Sequence, residues 1–377
     1  MRWSYRVGVI ALAAVLASCG GGSDVTAVKV AGDSLADGGT FGFKFTVQGA
    51  NLASTRIWVD HVAEAADVDP LCARYTATGP STVAPNPSAA NCTNYAVGGA
   101  RINVVGTAGD STPFSVLQQL RDLGTRGYSP SDILLVDGGG NDAADLIGAY
   151  LQASADAGAA YTALLSELLS PTQVAQAAAG GAAGLAQAGG AYMAALADRL
   201  VDTLQAEALA KGARRVVVVN APDVTRTPRF QAVLAGVAQA SGGGDAGAAA
   251  AAQIAATAQN WVGAFNARLA QRLAGESRVA VVDFYSALNQ WLASPAAYGL
   301  SNTTTPACPA TGVDAQGLPT YSIQTCTEAA LSANPPAGAG AGWWNTYVFS
   351  DNFHGTPRTN QLMGNIVKDA LRARGWL

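Results

Sequence analysis

Ala27-Val28-Lys29-Val30-Ala31, followed directly by Gly32-Asp33-Ser34-Leu35, is the stretch from which the rest of the chain is read. The first five residues read as a strand, and the next four as the polar turn that ends it. Three further runs have the same character: Asp132 to Asp137 (DILLVD), Arg214 to Asn220 (RRVVVVN) and Arg278 to Asp283 (RVAVVD). Each is continuous in Val, Ile or Leu rather than alternating, as expected of parallel strands covered on both faces. Asn94 to Val97 (NYAV) reads as one more short strand. Between these runs, helical spacing of apolar residues appears over Val116 to Leu123, Tyr192 to Lys211 (stopping at Gly212), Ala258 to Leu273 and Asn360 to Arg374. Strands alternating with helices predict a doubly wound α/β sheet.

Two segments, Ala177 to Gly190 and Ala240 to Ala256, are almost entirely Ala and Gly. They read either as close-packed helices or as mobile insertions. Gly242, Gly244 and Gly247 match a G-x-G-x-x-G pattern, but no strand precedes them, so a dinucleotide site is not supported.

The chain begins with Arg2 and Arg6, then an uncharged run of 11 residues, Val7 to Ala17, ending in Leu16-Ala17-Ser18-Cys19. That run is too short to span a bilayer and has the form of a signal-peptide core. Its end resembles a bacterial lipobox, which implies cleavage before Cys19 and acylation of its thiol, and several acyl chains give stable anchoring. The expected division is a signal peptide over 1–18, a tether over 19–25 and one domain over 26–377, with Ala/Gly-rich insertions near 143–190 and 240–256. Gly20 stands where an Asp usually signals inner-membrane retention, so the expectation is an exported, lipid-anchored protein of the outer membrane. The net charge of −4 becomes −6 once Arg2 and Arg6 are removed, which gives no reason to expect a nucleic-acid partner.

With Cys19 set aside, Cys72, Cys92, Cys308 and Cys326 remain. They have no zinc spacing, so disulfides are the stronger reading in an exported chain, and no metal is expected. Three pairings are possible. The local one, Cys72–Cys92 with Cys308–Cys326, is preferred because each bridge would staple a polar, Pro-rich loop.

A Ser at the carboxyl end of a parallel strand lies where α/β folds place their sites, and Gly32 lets the backbone turn there. No G-x-S-x-G elbow occurs. A serine nucleophile needs a base, and the chain has two histidines, His61 and His354. His61 sits in an apolar-periodic helix and reads as a surface or packing residue. His354 follows Asp351 by three residues, close enough for the carboxylate to orient its ring. Donors for a developing oxyanion are offered by Asn94-Tyr95-Ala96-Val97-Gly98-Gly99-Ala100, where Gly99 is small enough for close approach, and by Gly139-Gly140-Asn141-Asp142.

Read together, GDSL at 32–35, NYAVGGA at 94–100, GGND at 139–142 and DNFH at 351–354 resemble, in order, the four blocks of the GDSL (SGNH) hydrolases, over nearly the whole mature chain. The resemblance implies a three-layer α/β/α sandwich with a mainly parallel, flavodoxin-like sheet and no cofactor. It implies Ser34 as nucleophile, His354 as base and Asp351 as acid. It implies an oxyanion hole from the Ser34 N–H, the Gly99 N–H and the Asn141 amide. The implied activity is that of a serine esterase or lipase-like acylhydrolase on small-molecule or lipid esters. Alternatives are a glycan O-acetylesterase, an acyltransferase using the same residues, or a surface lipoprotein that only binds ligand. Two departures stand out. Gly355 replaces the Pro that commonly follows the family's His, which predicts a looser His loop, and Ala36 replaces a frequent Ser. Trp343, Trp344, Tyr347 and Phe349 read equally as acyl-site lining or as core beneath the His turn.

Overall fold

The computed structural model describes residues 24–79, 81–106 and 109–377. The expected signal segment, Cys19 and the tether through Ser23 lie outside the described residues. In chain order the elements are β1 (Val28–Ala31), α1 (Trp58–Ala65), β2 (Tyr75–Gly79), β3 (Thr82–Pro85), α2 (Val116–Arg126), β4 (Ile133–Val136), α3 (Gly140–Leu151), α4 (Ala159–Ser166), α5 (Pro171–Ala179) and α6 (Gly181–Leu204). They continue with β5 (Arg215–Val219), α7 (Pro228–Ala240), α8 (Gly244–Leu273), β6 (Val279–Val282), α9 (Phe284–Ala293), β7 (Ala310–Val313), β8 (Pro319–Tyr321), α10 (Glu328–Ala333) and α11 (Pro357–Ala373).

The central sheet has the order β1-β4-β5-β6, all parallel. Successive side chains of a strand point to opposite faces, and here both faces are apolar. Ala31, Leu134, Val136, Val216 and Val218 enter one core with residues of α2, α3, α6 and α8. Val28, Val30, Ile133, Leu135, Val217 and Val219 enter a second core with α1, α9 and α11. The result is a three-layer α/β/α sandwich, and it accounts for the unbroken Val/Ile/Leu runs.

The expected strand at Asn94 to Val97 shrinks to isolated parallel bridges of Asn94 with Val30 and Ala73. The Asn94 side chain is the reason. Its amide donates to the Ala36 carbonyl at 2.8 Å and its oxygen accepts the Ala96 N–H at 2.9 Å, so the chain turns instead of continuing to pair.

The Ala/Gly-rich segments are helical. The helix read over Tyr192 to Lys211 begins at Gly181 and ends in a π-type turn over Gln205–Leu209. The one read over Ala258 to Leu273 begins at Gly244. Alanine favours helix without leaving an apolar period to find, so these starts were invisible to periodicity. The two helices pack against each other, with the Trp261 indole N–H donating to the Ala186 carbonyl at 2.6 Å.

Both local disulfides are present, Cys72–Cys92 with Cα atoms 5.1 Å apart and Cys308–Cys326 with 5.5 Å. Each encloses a two-stranded hairpin absent from the sequence reading, β2–β3 and β7–β8 respectively. Such hairpins are marginal alone, which is what the staples address. Asp24 and Val25, expected as the end of the tether, belong to the fold: Asp24 holds Arg215 through two bonds of 2.7 Å, and Val25 is buried.

Candidate active site

Ser34 stands on the tight turn after β1, and Asp137 at the end of β4 shapes that turn. A Cβ on Gly32 would lie 1.5 Å from Asp137 Oδ1, so only glycine admits the carboxyl group. The turn closes through the Ala36 N–H to the Asp33 carbonyl, 3.2 Å, and the Leu35 N–H to Asp33 Oδ1, 3.0 Å. Asp37 then accepts the N–H groups of Gly39, Thr40 and Gly98, the last at 2.8 Å. This ties the Ser34 turn to the 94–100 segment.

His354 sits on the turn before α11. Asp351 Oδ1 accepts the Phe353 and His354 N–H groups, both at 2.7 Å, leaving Oδ2 for His354 Nδ1 at 2.7 Å. Ionised Asp351 only accepts, so Nδ1 carries a proton and Nε2 is free to accept from the Ser34 hydroxyl at 2.8 Å. Burial disfavours a charged His354, but the Asp351 charge and hydrogen bond, with the Asp33 charge, outweigh it and raise the imidazole above its ordinary value. Burial likewise opposes an ionised Asp351, and His354 with the two backbone donors overcomes it, leaving the carboxyl below its usual range.

The looser His loop expected from Gly355 is not found. The Gly355 carbonyl accepts from Thr46, Ser350 and Asn360 at 2.9–3.1 Å. The Ser350 N–H donates to the His354 carbonyl at 2.7 Å. A cross-braced turn replaces the stiffness of proline. Ala36 is fully buried, so a methyl fits where a hydroxyl would need a partner.

Ser34, Gly99 and Asn141 line one cleft. Among the described residues the N–H groups of Ser34 and Gly99 have no acceptor. Gly99 is needed for its backbone rather than for close approach: its φ is +79° and a Cβ there would meet open space. The Asn141 amide donates to the Ala100 carbonyl at 3.0 Å and lies 3.5 Å from Asp33 Oδ2. Asn141 is in the first turn of α3, whose N-terminal end favours negative charge. Asp142 accepts the N–H groups of Ile102 and Asn103 and so pins the 99–103 segment beside α3, a role the sequence reading did not assign.

The cleft measures ≈ 250 Å³. Its apolar wall is Leu35, Phe45, Pro222, Val224 and Phe353. Trp343, Trp344 and Tyr347 instead pack with Val47 and the Cys308–Cys326 bridge, and Phe349 packs in the α11-side core, so their core reading holds. Phe45 was missed. Its ring centroid lies 4.9 Å from that of His354, and the only signal was the alternation Phe41-Gly42-Phe43-Lys44-Phe45. His61 lies half-buried on α1, away from the cleft, with its Cβ against Gly364 of α11. Among the described residues no group of three or more His, Cys, Asp or Glu is placed to hold a metal ion.

A hydroxyl held against a carboxylate-oriented imidazole, in one cleft with Gly99 and Asn141 and with two N–H groups free, is an arrangement suited to acyl transfer. No curated protein matches the chain. The family model for GDSL-like Lipase/Acylhydrolase matches residues 28–367. That span runs from the strand before Ser34 past the His354 turn and into α11, so the chain belongs to the GDSL-like lipase/acylhydrolase family, whose activity is the hydrolysis of ester bonds.

Proposed function

We propose that the protein is a serine esterase that cleaves carboxylic esters of short acyl chains through an acyl-serine intermediate. The observation that carries this is the unbroken relay from Ser34 Oγ to His354 Nε2, 2.8 Å, and from His354 Nδ1 to Asp351 Oδ2, 2.7 Å. Ser34 Oγ attacks the carbonyl carbon as its proton passes to His354 Nε2. The resulting oxyanion takes the N–H groups of Ser34 and Gly99 and the amide of Asn141. His354 then protonates the leaving alkoxide, the C–O bond breaks, and the acyl group remains on Ser34. Water, deprotonated by His354, attacks the acyl carbon and regenerates the serine.

The cleft supports the restriction to short acyl groups. At ≈ 250 Å³ it lies below the roughly 300–1,000 Å³ common for ligand pockets, and Phe45, Val224 and Phe353 line its apolar side. A series of p-nitrophenyl esters tests the reading. Turnover should be highest for acetyl to butyryl and fall for longer chains, and Ser34→Ala or His354→Ala should abolish it while circular dichroism stays unchanged. Full activity in either variant would overturn it. The same small cleft suits an acetyl group on a glycan, so an acetylated oligosaccharide belongs in the panel. Transfer to an added alcohol is read from the product ratio.

We further propose export and anchoring through acylated Cys19, on the Leu16-Ala17-Ser18-Cys19 pattern. Fatty-acid labelling that persists in Cys19→Ser would refute it.

A further inference from the structure

Two buried carboxyl groups stand behind the nucleophile turn, and the steps above use neither. Asp33 precedes Ser34, and Asp137 ends β4. They are 4% and 3% exposed. The Asp33 N–H donates to Asp137 Oδ1 at 3.1 Å, the oxygen for which Gly32 makes room. Asp137 Oδ2 is buried and has no hydrogen-bond partner among the described residues. Asp33 is better supplied: its carboxylate accepts the Leu35 N–H and lies 3.5 Å from the Asn141 amide.

We propose that Asp137 is a positioning residue that carries a proton in the working enzyme, so that the Asp33–Asp137 pair holds one negative charge, on Asp33. The argument rests on the acyl-serine reading. An ionised carboxylate with an unpaired oxygen is costly to bury, and two carboxyls in one site do not both ionise readily. The neighbours decide which keeps the proton. Burial opposes charge on both groups. For Asp33 burial is the larger effect and raises the carboxyl above its usual range, but the Leu35 N–H, His354 and Arg101 pull it back toward the charged form. For Asp137 the facing charge is Asp33 itself, and burial together with that charge pushes its carboxyl well above the usual range. From α2 the facing group is Gln119, neutral, whose oxygen accepts the Gly32 N–H at 2.7 Å. Neutral Asp137 therefore anchors the turn that presents Ser34, and leaves Asp33 charged beside Asn141 and His354. In alkaline solution hydroxide removes the Asp137 proton, the two carboxylates repel, and the turn is pushed from its place.

The full-length enzyme with Asp137→Asn, Asp137→Ala and Asp33→Asn tests this on p-nitrophenyl acetate across about pH 6 to about pH 10. The wild type should lose kcat on the alkaline side with KM little changed. Asp137→Ala should lower kcat by roughly 10- to 100-fold, as expected for a displaced nucleophile. Asp137→Asn, which mimics the protonated acid, should rescue most of that loss and lack the alkaline fall. Asp33→Asn removes the repelling charge, so it too should lack the alkaline fall. A wild-type alkaline fall that persists unchanged in Asp137→Asn overturns the proposal.

A second readout does not depend on activity. The folded-state Asp137 carboxyl is raised above its unfolded value of 3.8, so the native state binds more protons and stability falls as pH rises from the unfolded value toward the raised one. Asn does not titrate. The Tm difference, Asp137→Asn minus wild type, should therefore grow with pH over that window, and a constant difference overturns the proposal. If Ser34→Ala remains active, the acyl-serine reading fails while this Tm comparison still judges the carboxyl pair. If Ser34→Ala is inactive but the Asp137→Asn profile and Tm offset match wild type, the carboxyl pair alone falls.

Discussion

His354 is held between two demands, and its charge balance shows how. Burial alone would favour a neutral ring, and Asp351 reverses that preference. The acid limb of kcat/KM should therefore lie above the ordinary imidazole value of about 6.5, with activity lost as pH falls and His354 takes a proton it cannot use. Asp351→Asn removes both the charge and the fixed tautomer. The pH profile of that variant should show kcat/KM lowered on the order of 10³- to 10⁴-fold and the remaining acid limb shifted to lower pH, because burial is then opposed by the Asp33 charge alone. An unshifted limb would mean that Asp351 does not set the His354 charge. Asn141 answers to a different readout. On the proposed acyl-serine reading its amide, which donates to the Ala100 carbonyl in the resting site, serves charge that exists only in the transition state, so Asn141→Ala should lower kcat by about 100-fold and leave KM nearly unchanged. A change confined to KM would place Asn141 in substrate binding instead.

At the scale of elements, the site depends on braces outside the cleft. The segment carrying Phe45 is fastened to α1 by Lys44, whose ammonium meets Asp60 Oδ2 at 2.7 Å with both side chains buried. Asp60 also accepts the Ile57 N–H at 2.9 Å and so caps α1. Asp60→Asn leaves a buried ammonium without its counter-charge and should cost about 3–5 kcal/mol, read from urea unfolding. A loss under about 1 kcal/mol would show that the pair is already wet. A second brace runs from α7. The Arg229 N–H donates to the Asn352 carbonyl at 3.0 Å, its guanidinium lies over the Phe353 ring at 5.7 Å, and it reaches Asp314 on the β7–β8 hairpin at 3.2 Å. The Cys308–Cys326 bridge holds that hairpin. Replacing both cysteines by Ser should cost about 2–4 kcal/mol and raise KM for butyryl esters more than for acetyl esters, since Phe353 then loses its support at the mouth of the cleft. Equal KM values for the two esters would disconnect the hairpin from the cleft wall.

At the scale of the molecule, Ser34 and His354 are 320 residues apart in sequence and meet only through the sheet. Fluorophosphonate labelling of Ser34 and tryptophan fluorescence should therefore be lost at one urea midpoint, as in a cooperative transition. Earlier loss of labelling would show that the His354 turn loosens by itself. The four strands were legible because burial on both faces writes an unbroken apolar run into the chain, and the site blocks were legible because they fall at strand ends and turns where Gly, Asp, Asn and Ser cluster. The hairpins under the disulfides were not legible, since short polar strands carry no apolar period, and neither were the starts of α6 and α8 in alanine. By itself the sequence marked the buried strands, a preference for the local disulfides and the candidates Ser34, Asp351 and His354, because each shows in residues near one another in the chain. Only the tertiary structure decided that these groups touch, that Phe45 and Phe353 rather than the tryptophans wall the cleft, and that Asp137 fills the space left by Gly32, because those contacts join segments between which the chain itself carries no information about distance.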